Sequence, residues 1–134
     1  MIEVSNVTKS YGGAEVVRGV TSSLPASGVT SIIGPNGAGK STFLSMISRL
    51  LPMSSGQVTV DGMDILTADG DAMAKKLSIL RQDNHLTARL TVRDLVAFGR
   101  YPHSKGRPTS DDLAHVERSI FYLGLEDLTH RFLD

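Results

Sequence analysis

From Gly34 to Thr42 the chain reads Gly-Pro-Asn-Gly-Ala-Gly-Lys-Ser-Thr, and the residue types in that order suit one chemistry. Gly34, Gly37 and Gly39 let the backbone take φ values closed to other residues and leave no Cβ between amide N–H groups and an approaching anion. Lys40 supplies a cation long enough to reach the β- and γ-phosphates of a nucleotide, and the Ser41 hydroxyl is an oxygen that can sit on Mg²⁺. The spacing is G-x-x-x-x-G-K-[ST], the phosphate-binding P-loop. A glycine-rich turn between two elements would satisfy the same eight residues, so the flanks must decide.

They do. Val29 to Ile33 is apolar and rich in β-branched residues, as a buried strand requires. After the loop, Phe43, Met46, Ile47, Leu50 and Leu51 recur at helical spacing, and the helix is expected to run until Pro52 stops it. Such a helix aims its unpaired N–H groups and positive dipole end at the loop. Strand, phosphate loop and helix come in the order the chemistry needs.

With 134 residues the chain suits one modest domain or a piece of a larger one, and 40% hydrophobic residues suffice for a core. Fourteen basic residues balance fourteen acidic ones, so no global field favours nucleic acid. Cysteine is absent, which excludes disulfides and thiolate metal sites, and His85, His103, His115 and His130 fall in no metal-ligand spacing. No apolar stretch approaches the roughly twenty residues of a membrane span, and the N-terminal residues show no secretory pattern. The expectation is a cytoplasmic chain that relies on a separate subunit for any membrane crossing.

The remaining elements read as follows. Residues 2–11, with Ile2, Val4, Val7 and Tyr11, form a strand pair or one bent strand, and Gly12-Gly13 turns into a half-buried strand from Val16 to Leu24. Pro25 to Gly28 is a turn, and Ser54-Ser55-Gly56 another. Gln57 to Val60 alternates as an exposed strand before the Asp61-Gly62 turn. Asp71 is positioned to cap a short helix over 72–76, and Leu77 to Leu80 looks like a strand delivering Arg81 and Gln82 at its end, where open α/β sheets bind ligands. From Thr91 the pattern is helical. Thr91 with Asp94 forms a capping box over a stripe of Val92, Leu95 and Val96. Gly99 to Pro108 reads as loop, and Ser110 with Asp111 and Asp112 opens a helix whose apolar face is Leu113, Val116, Ile120 and Leu123, closed by Gly124.

Three features together resemble the ATP-binding subunit of an ABC transporter: the loop wording from Gly34 to Thr42, Tyr11 upstream of it, and Gln82 downstream. Taken alone, Tyr11 fits a residue packing a hairpin and Gln82 a solvated loop residue. The resemblance implies that Tyr11 stacks on adenine and that Gln82 reaches Mg²⁺ and the attacking water. It thus implies a site for ATP and Mg²⁺ built from Tyr11, Gly34, Pro35, Asn36, Gly37, Ala38, Gly39, Lys40, Ser41, Thr42 and Gln82, with Ser41 and Gln82 as the metal ligands. The wording Leu-Thr-Val-Arg-Asp-Leu-Val-Ala-Phe-Gly-Arg-Tyr-Pro-His, from Leu90 to His103, is similar to ATPases of iron–siderophore, haem and vitamin B12 importers. In that group this stretch docks the permease, which makes Arg89, Phe98, Arg100 and Tyr101 contact candidates; Phe98 and Tyr101 fit the core of a helical subdomain equally well.

The implied fold is α/β, a P-loop NTPase of the ABC type with an N-terminal antiparallel β portion and the start of a helical subdomain. The implied division is an ATP-binding core over 1–90 and the beginning of the helical subdomain over 91–134. The implied function is ATP hydrolysis driving import of an iron–siderophore complex, with haem or vitamin B12 as alternative cargoes. A second ATP-binding subunit faces the first head to tail, and transmembrane permease subunits complete the assembly at the inner face of the membrane. The family's Leu-Ser-Gly-Gly-Gln signature, the apolar run ending in Asp-Glu and the switch histidine appear nowhere in the 134 residues. The expectation is therefore an incomplete domain, truncated before the signature, that binds nucleotide weakly and hydrolyses none alone; Lys40 and Gln82 assist but no catalytic set is complete. A non-catalytic nucleotide-binding module is the rival from another class. A small-molecule kinase is a further rival, but it would bring an Arg-rich lid soon after the loop.

Overall fold

The computed structural model describes residues 1–81 and 89–133. They form two compact units, Met1–Ile79 and Leu80–Asp134. In the first, strands β1 (Ile2–Tyr11), β2 (Ala14–Leu24), β3 (Ser55–Val60) and β4 (Met63–Asp64) make one sheet in the order β2-β1-β3-β4. Every pairing is antiparallel.

The loose alternation of residues 2–11 has a structural cause. Val4 and Val7 are both buried although an unbroken strand would turn them to opposite faces. The register slips between them, opposite β2 and between Ser5 and Thr8 opposite β3, and Asn6 takes a φ of 48°. The irregularity resets the phase so that both valines point inward. The N–H of Asn6, displaced from the ladder, donates to Thr21 Oγ1 at 2.9 Å. One bent strand, rather than a strand pair, is the outcome.

Helix α1 (Lys40–Ile47) packs on β2 and contributes Phe43, Met46 and Ile47 to a core shared with Val4, Val7, Val17, Val58 and Val60. It ends well before Pro52. The N–H of Leu50 reaches Ser45 O at 2.9 Å and that of Arg49 reaches Met46 O at 3.1 Å, with Arg49 at φ 64°. This is a Schellman ending with an arginine in the position glycine usually holds. Proline marks where a helix must stop, and here the chain leaves four residues earlier.

Other expectations shift in detail. Strand β3 is half buried rather than exposed, since Val58 and Val60 are core residues. Helix α2 (Gly70–Ala74) is capped by Asp69, whose Oδ2 accepts from the N–H groups of Asp71 and Ala72, so the cap lies two residues before Asp71. The turn at Asp61-Gly62 forms, both residues having positive φ.

Two expected strands are absent among the described residues. Val29–Ile33 and Leu77–Leu80 form no ladder. Val29 is 95% exposed, Ile33 91% and Leu80 89%. An isolated strand leaves its N–H and C=O groups to water, so without hydrogen-bonded neighbours neither stretch becomes a strand.

The second unit is helical. Helix α3 (Val92–Phe98) opens on the expected capping box: Thr91 Oγ1 accepts from the Asp94 N–H at 3.2 Å while Asp94 Oδ2 accepts from the Thr91 N–H at 2.9 Å. Its stripe is only half buried, with Leu95 43% exposed. The expected loop 99–108 contains a one-turn helix, α4 (Tyr101–Ser104), with Pro102 in its first turn, where a missing N–H costs nothing. Helix α5 (Ser110–Tyr122) is capped by Thr109 rather than Ser110, in a second capping box with Asp112. Val116 and Ile120 are its buried apolar residues, whereas Leu113 and Leu123 stay exposed. Gly124 closes it, its N–H on Phe121 O and that of Leu125 on Ile120 O. No helix among the described residues is long and apolar enough to cross a membrane.

Candidate functional site

The loop from Gly34 to Gly39 leads into α1 without a side-chain cap, because the N-cap position is Gly39 at φ 90°. The amides of the first helical turn are therefore left without the side-chain oxygen that usually satisfies them. Gly39 also sits where any side chain would collide: a Cβ there would lie 2.9 Å from the carbonyl oxygen of Val16 in β2. That close approach fixes the start of α1 against the sheet. Gly37 has φ 82° and open space where a Cβ would stand, so the loop's outer face is unobstructed.

Lys40 folds back across the loop. Its Nζ donates to Gly34 O at 2.8 Å and to Pro35 O at 2.7 Å. The ammonium is thus held over the loop by weak neutral acceptors, and a phosphate oxygen entering there would be a charge-assisted replacement. Ser41, in the first turn of α1, is exposed, and Thr42 is partly buried behind it. The donor set fits a phosphorylated, Mg²⁺-bound ligand: amides and an ammonium for the anion, and a neutral hydroxyl oxygen for a hard cation. Beside the loop a cavity of about 780 Å³ opens, lined by residues including Val17, Val20, Leu24, Ile32 and Phe43. Its walls mix these apolar side chains with Glu15, Arg18, Thr30 and Ser31, and the loop residues Gly37 to Lys40 form one side of it, so the phosphate loop opens onto this hollow.

Tyr11 ends β1 and pairs with Ala14 across the Gly12-Gly13 turn. Its ring is half exposed and carries the Lys9 ammonium 5.1 Å from its centroid, while the same Nζ donates to Pro52 O at 2.6 Å. Lys9 belongs to no motif, although strand alternation sets it on the face of Tyr11, two residues away. Gln82 lies outside the described residues.

In the second unit Phe98 and Tyr101 are more than half exposed, which removes them from the core. Arg100 differs. Its Nε donates to Asp112 Oδ1 at 2.8 Å, and Asp112 is 3% exposed, so Arg100 is committed to an internal pair and is not a free surface contact. The Arg89 guanidinium stacks 4.1 Å from the Phe132 centroid.

The family profile described as "ABC transporter" matches residues 17–134. The chain is 47% identical over 134 residues to the petrobactin import ATP-binding protein YclP of Bacillus subtilis (strain 168), covering 100% of this chain and 53% of that protein. It is 48% identical over 134 residues to the petrobactin import ATP-binding protein FatE of Bacillus anthracis, covering 100% of this chain and 54% of that protein. The ferric enterobactin transport ATP-binding protein FepC of Escherichia coli (strain K12) is 35% identical over 130 residues, covering 96% of this chain and 48% of that protein. These residues span about half the length of the curated relatives they match. Among solved structures, the dimeric bacterial ABC transporter cassette MJ0796 superposes with a TM-score of 0.78 at 26% identity, over 98% of this chain and 61% of that one. Sequence and fold agree that this chain belongs to the ABC transporter family, with the architecture of part of its ATP-binding cassette.

Proposed function

We propose that this chain acts within the ATP-binding subunit of an importer that couples ATP hydrolysis to uptake of an iron–siderophore complex. The observation that carries the reading is the loop itself, an uncapped helix start with left-handed glycines and the Lys40 ammonium lying across it. Relatives named for petrobactin import, at 47% and 48% identity, favour a siderophore over the cargo of the hemin import relatives at 34% and 35%.

In this reading the loop amides from Gly34 to Gly39 and Lys40 hold the phosphates, with Pro35, Asn36 and Ala38 shaping the loop. Ser41 and Gln82 hold Mg²⁺, Thr42 supports the first helical turn, and Tyr11 stacks on the base. Bound Mg²⁺ would neutralise charge on the transferring phosphoryl group. Residues 1–90 supply the ATP-binding core and 91–134 begin the helical subdomain. A second subunit faces the first head to tail, and the permease docks on the region from Gln82 to Tyr101, where Arg89, Phe98 and Tyr101 are the contact residues. The subunit is peripheral, held at the cytoplasmic side of the membrane by that permease.

The test is ATP turnover and siderophore uptake by the full-length protein assembled with its permease. Lys40→Ala should abolish both and leave little ATP affinity by calorimetry; an unchanged titration would refute the phosphate role. The 134 residues alone should turn over no ATP, because phosphoryl transfer needs a general base and a partner's groups that they lack. Steady turnover by that chain, lost in Lys40→Ala, would sink this part of the reading.

A further inference from the structure

The end of β1 is clipped to the segment that leaves the phosphate-loop helix. Four hydrogen bonds make the clip: Lys9 Nζ to Pro52 O at 2.6 Å, the Ser54 N–H to Thr8 O at 2.9 Å, the Ser10 N–H to Ser54 Oγ at 3.1 Å, and Thr8 Oγ1 with Ser55 Oγ at 2.6 Å. Pro52 follows directly on the Schellman ending of α1, whose Leu50 and Leu51 amides both bond Ser45 O. The chain from Lys40 through α1 to Pro52, and from Pro52 through Lys9 to Tyr11, is therefore one hydrogen-bonded path within one compact unit.

Lys9 is the group that couples this path to the Tyr11 ring. Its ammonium is anchored at the Pro52 carbonyl and at the same time lies 5.1 Å from the ring centroid, inside the range over which a cation is attracted to an aromatic face. A half-exposed tyrosine at the tip of a hairpin is otherwise free to change rotamer. A cation fixed at one face restrains the ring and leaves the opposite face to a planar ligand.

We infer that Lys9 is a positioning residue for nucleotide binding, holding the Tyr11 ring in a fixed place relative to the phosphate loop through its bond to the Pro52 carbonyl. The inference rests on the proposed base-stacking role of Tyr11. Its effect should fall on the base and not on the phosphates.

The experiment titrates the full-length protein with Mg-ATP and, separately, with Mg-tripolyphosphate, which has no base. Lys9→Met keeps the stem and removes the charge. It should weaken ATP about two- to five-fold, the size of one exposed cation–π contact, and leave tripolyphosphate unchanged. Lys9→Arg should restore ATP affinity. The double variant Lys9→Met, Tyr11→Ala should bind ATP as Tyr11→Ala does, since Lys9 has nothing left to position. Equal losses for both ligands, or additive losses in the double variant, would overturn the inference while leaving Tyr11 stacking intact. Unchanged ATP affinity in Tyr11→Ala would overturn the stacking role and this inference with it.

Discussion

Gly39 answers two demands at one position. Its φ of 90° lies in the left-handed region, and a Cβ there would meet the Val16 carbonyl oxygen at 2.9 Å. Alanine at this site must strain its own backbone and push α1 off β2. Gly39→Ala should cost roughly 1–3 kcal/mol by chemical denaturation and weaken nucleotide binding as well. Gly56 tests whether conformation or space dominates. At φ 98° its Cβ would sit 2.5 Å from Asn6 O and 2.6 Å from Val7 Cα, both rigid backbone at the β1–β3 junction. Gly56→Ala should therefore destabilise more than Gly39→Ala but spare the phosphate loop, so Mg-tripolyphosphate affinity per folded molecule stays unchanged. The motif names Gly39 without its reason for being glycine. That reason is the approach of β2, a contact between residues distant in sequence that no local pattern encodes.

The caps show what a sequence does announce at the scale of an element. Thr91 and Asp94 are three residues apart and satisfy each other, so their box is readable from local spacing alone. The second box is displaced by one residue, because the acid at the right distance from Thr109 is Asp112, and Ser110 has no such partner in the box. Thr109→Ala should cost about 1 kcal/mol in thermal or urea denaturation. Asp112 does more than cap. The Thr109 N–H, then the Arg100 guanidinium and the Thr109 hydroxyl, hold its carboxyl well below the usual carboxylate range. A carboxyl depressed on folding adds stability that is complete above its unfolded value of about 4 and is lost as pH falls through the lower folded value. Melting temperature should thus decline as pH falls below about 5, and Asp112→Asn, less stable at pH 7, should decline less. Parallel pH profiles for the two proteins would show that the Asp112 charge is not what holds the start of α5. The partnership with Arg100 has no local signature in the sequence, since it joins α4's N-cap residue to α5 across a turn that periodicity reads only as loop.

For the molecule as a whole, the antiparallel sheet and the residues after it differ in how far their sequence signals are realised. The strands β1 to β3 find one another within the first sixty residues, and their alternation becomes ladder, with an irregularity at Asn6 explaining where the alternation slips. Val29–Ile33 and Leu77–Leu80 carry strand signals of equal strength and remain unpaired, because a strand is a relation and not a property of a segment. The consequence is concrete. Val29, Ile33 and Leu80 stand almost fully exposed, and a cavity of about 780 Å³ runs along residues 30–33 between β2 and the phosphate loop. The curated relatives are about twice as long as this chain, which leaves room in them for strands that would pair here. Hydrogen exchange tests the idea directly. The amides of residues 29–33 should exchange at unprotected rates in the 134-residue chain and become strongly protected in a full-length protein containing it. The β1 amides, already paired, should differ little between the two. Equal protection of 29–33 in both would mean that this stretch needs no further partner, and that the phosphate loop is supported from α1 and β2 alone.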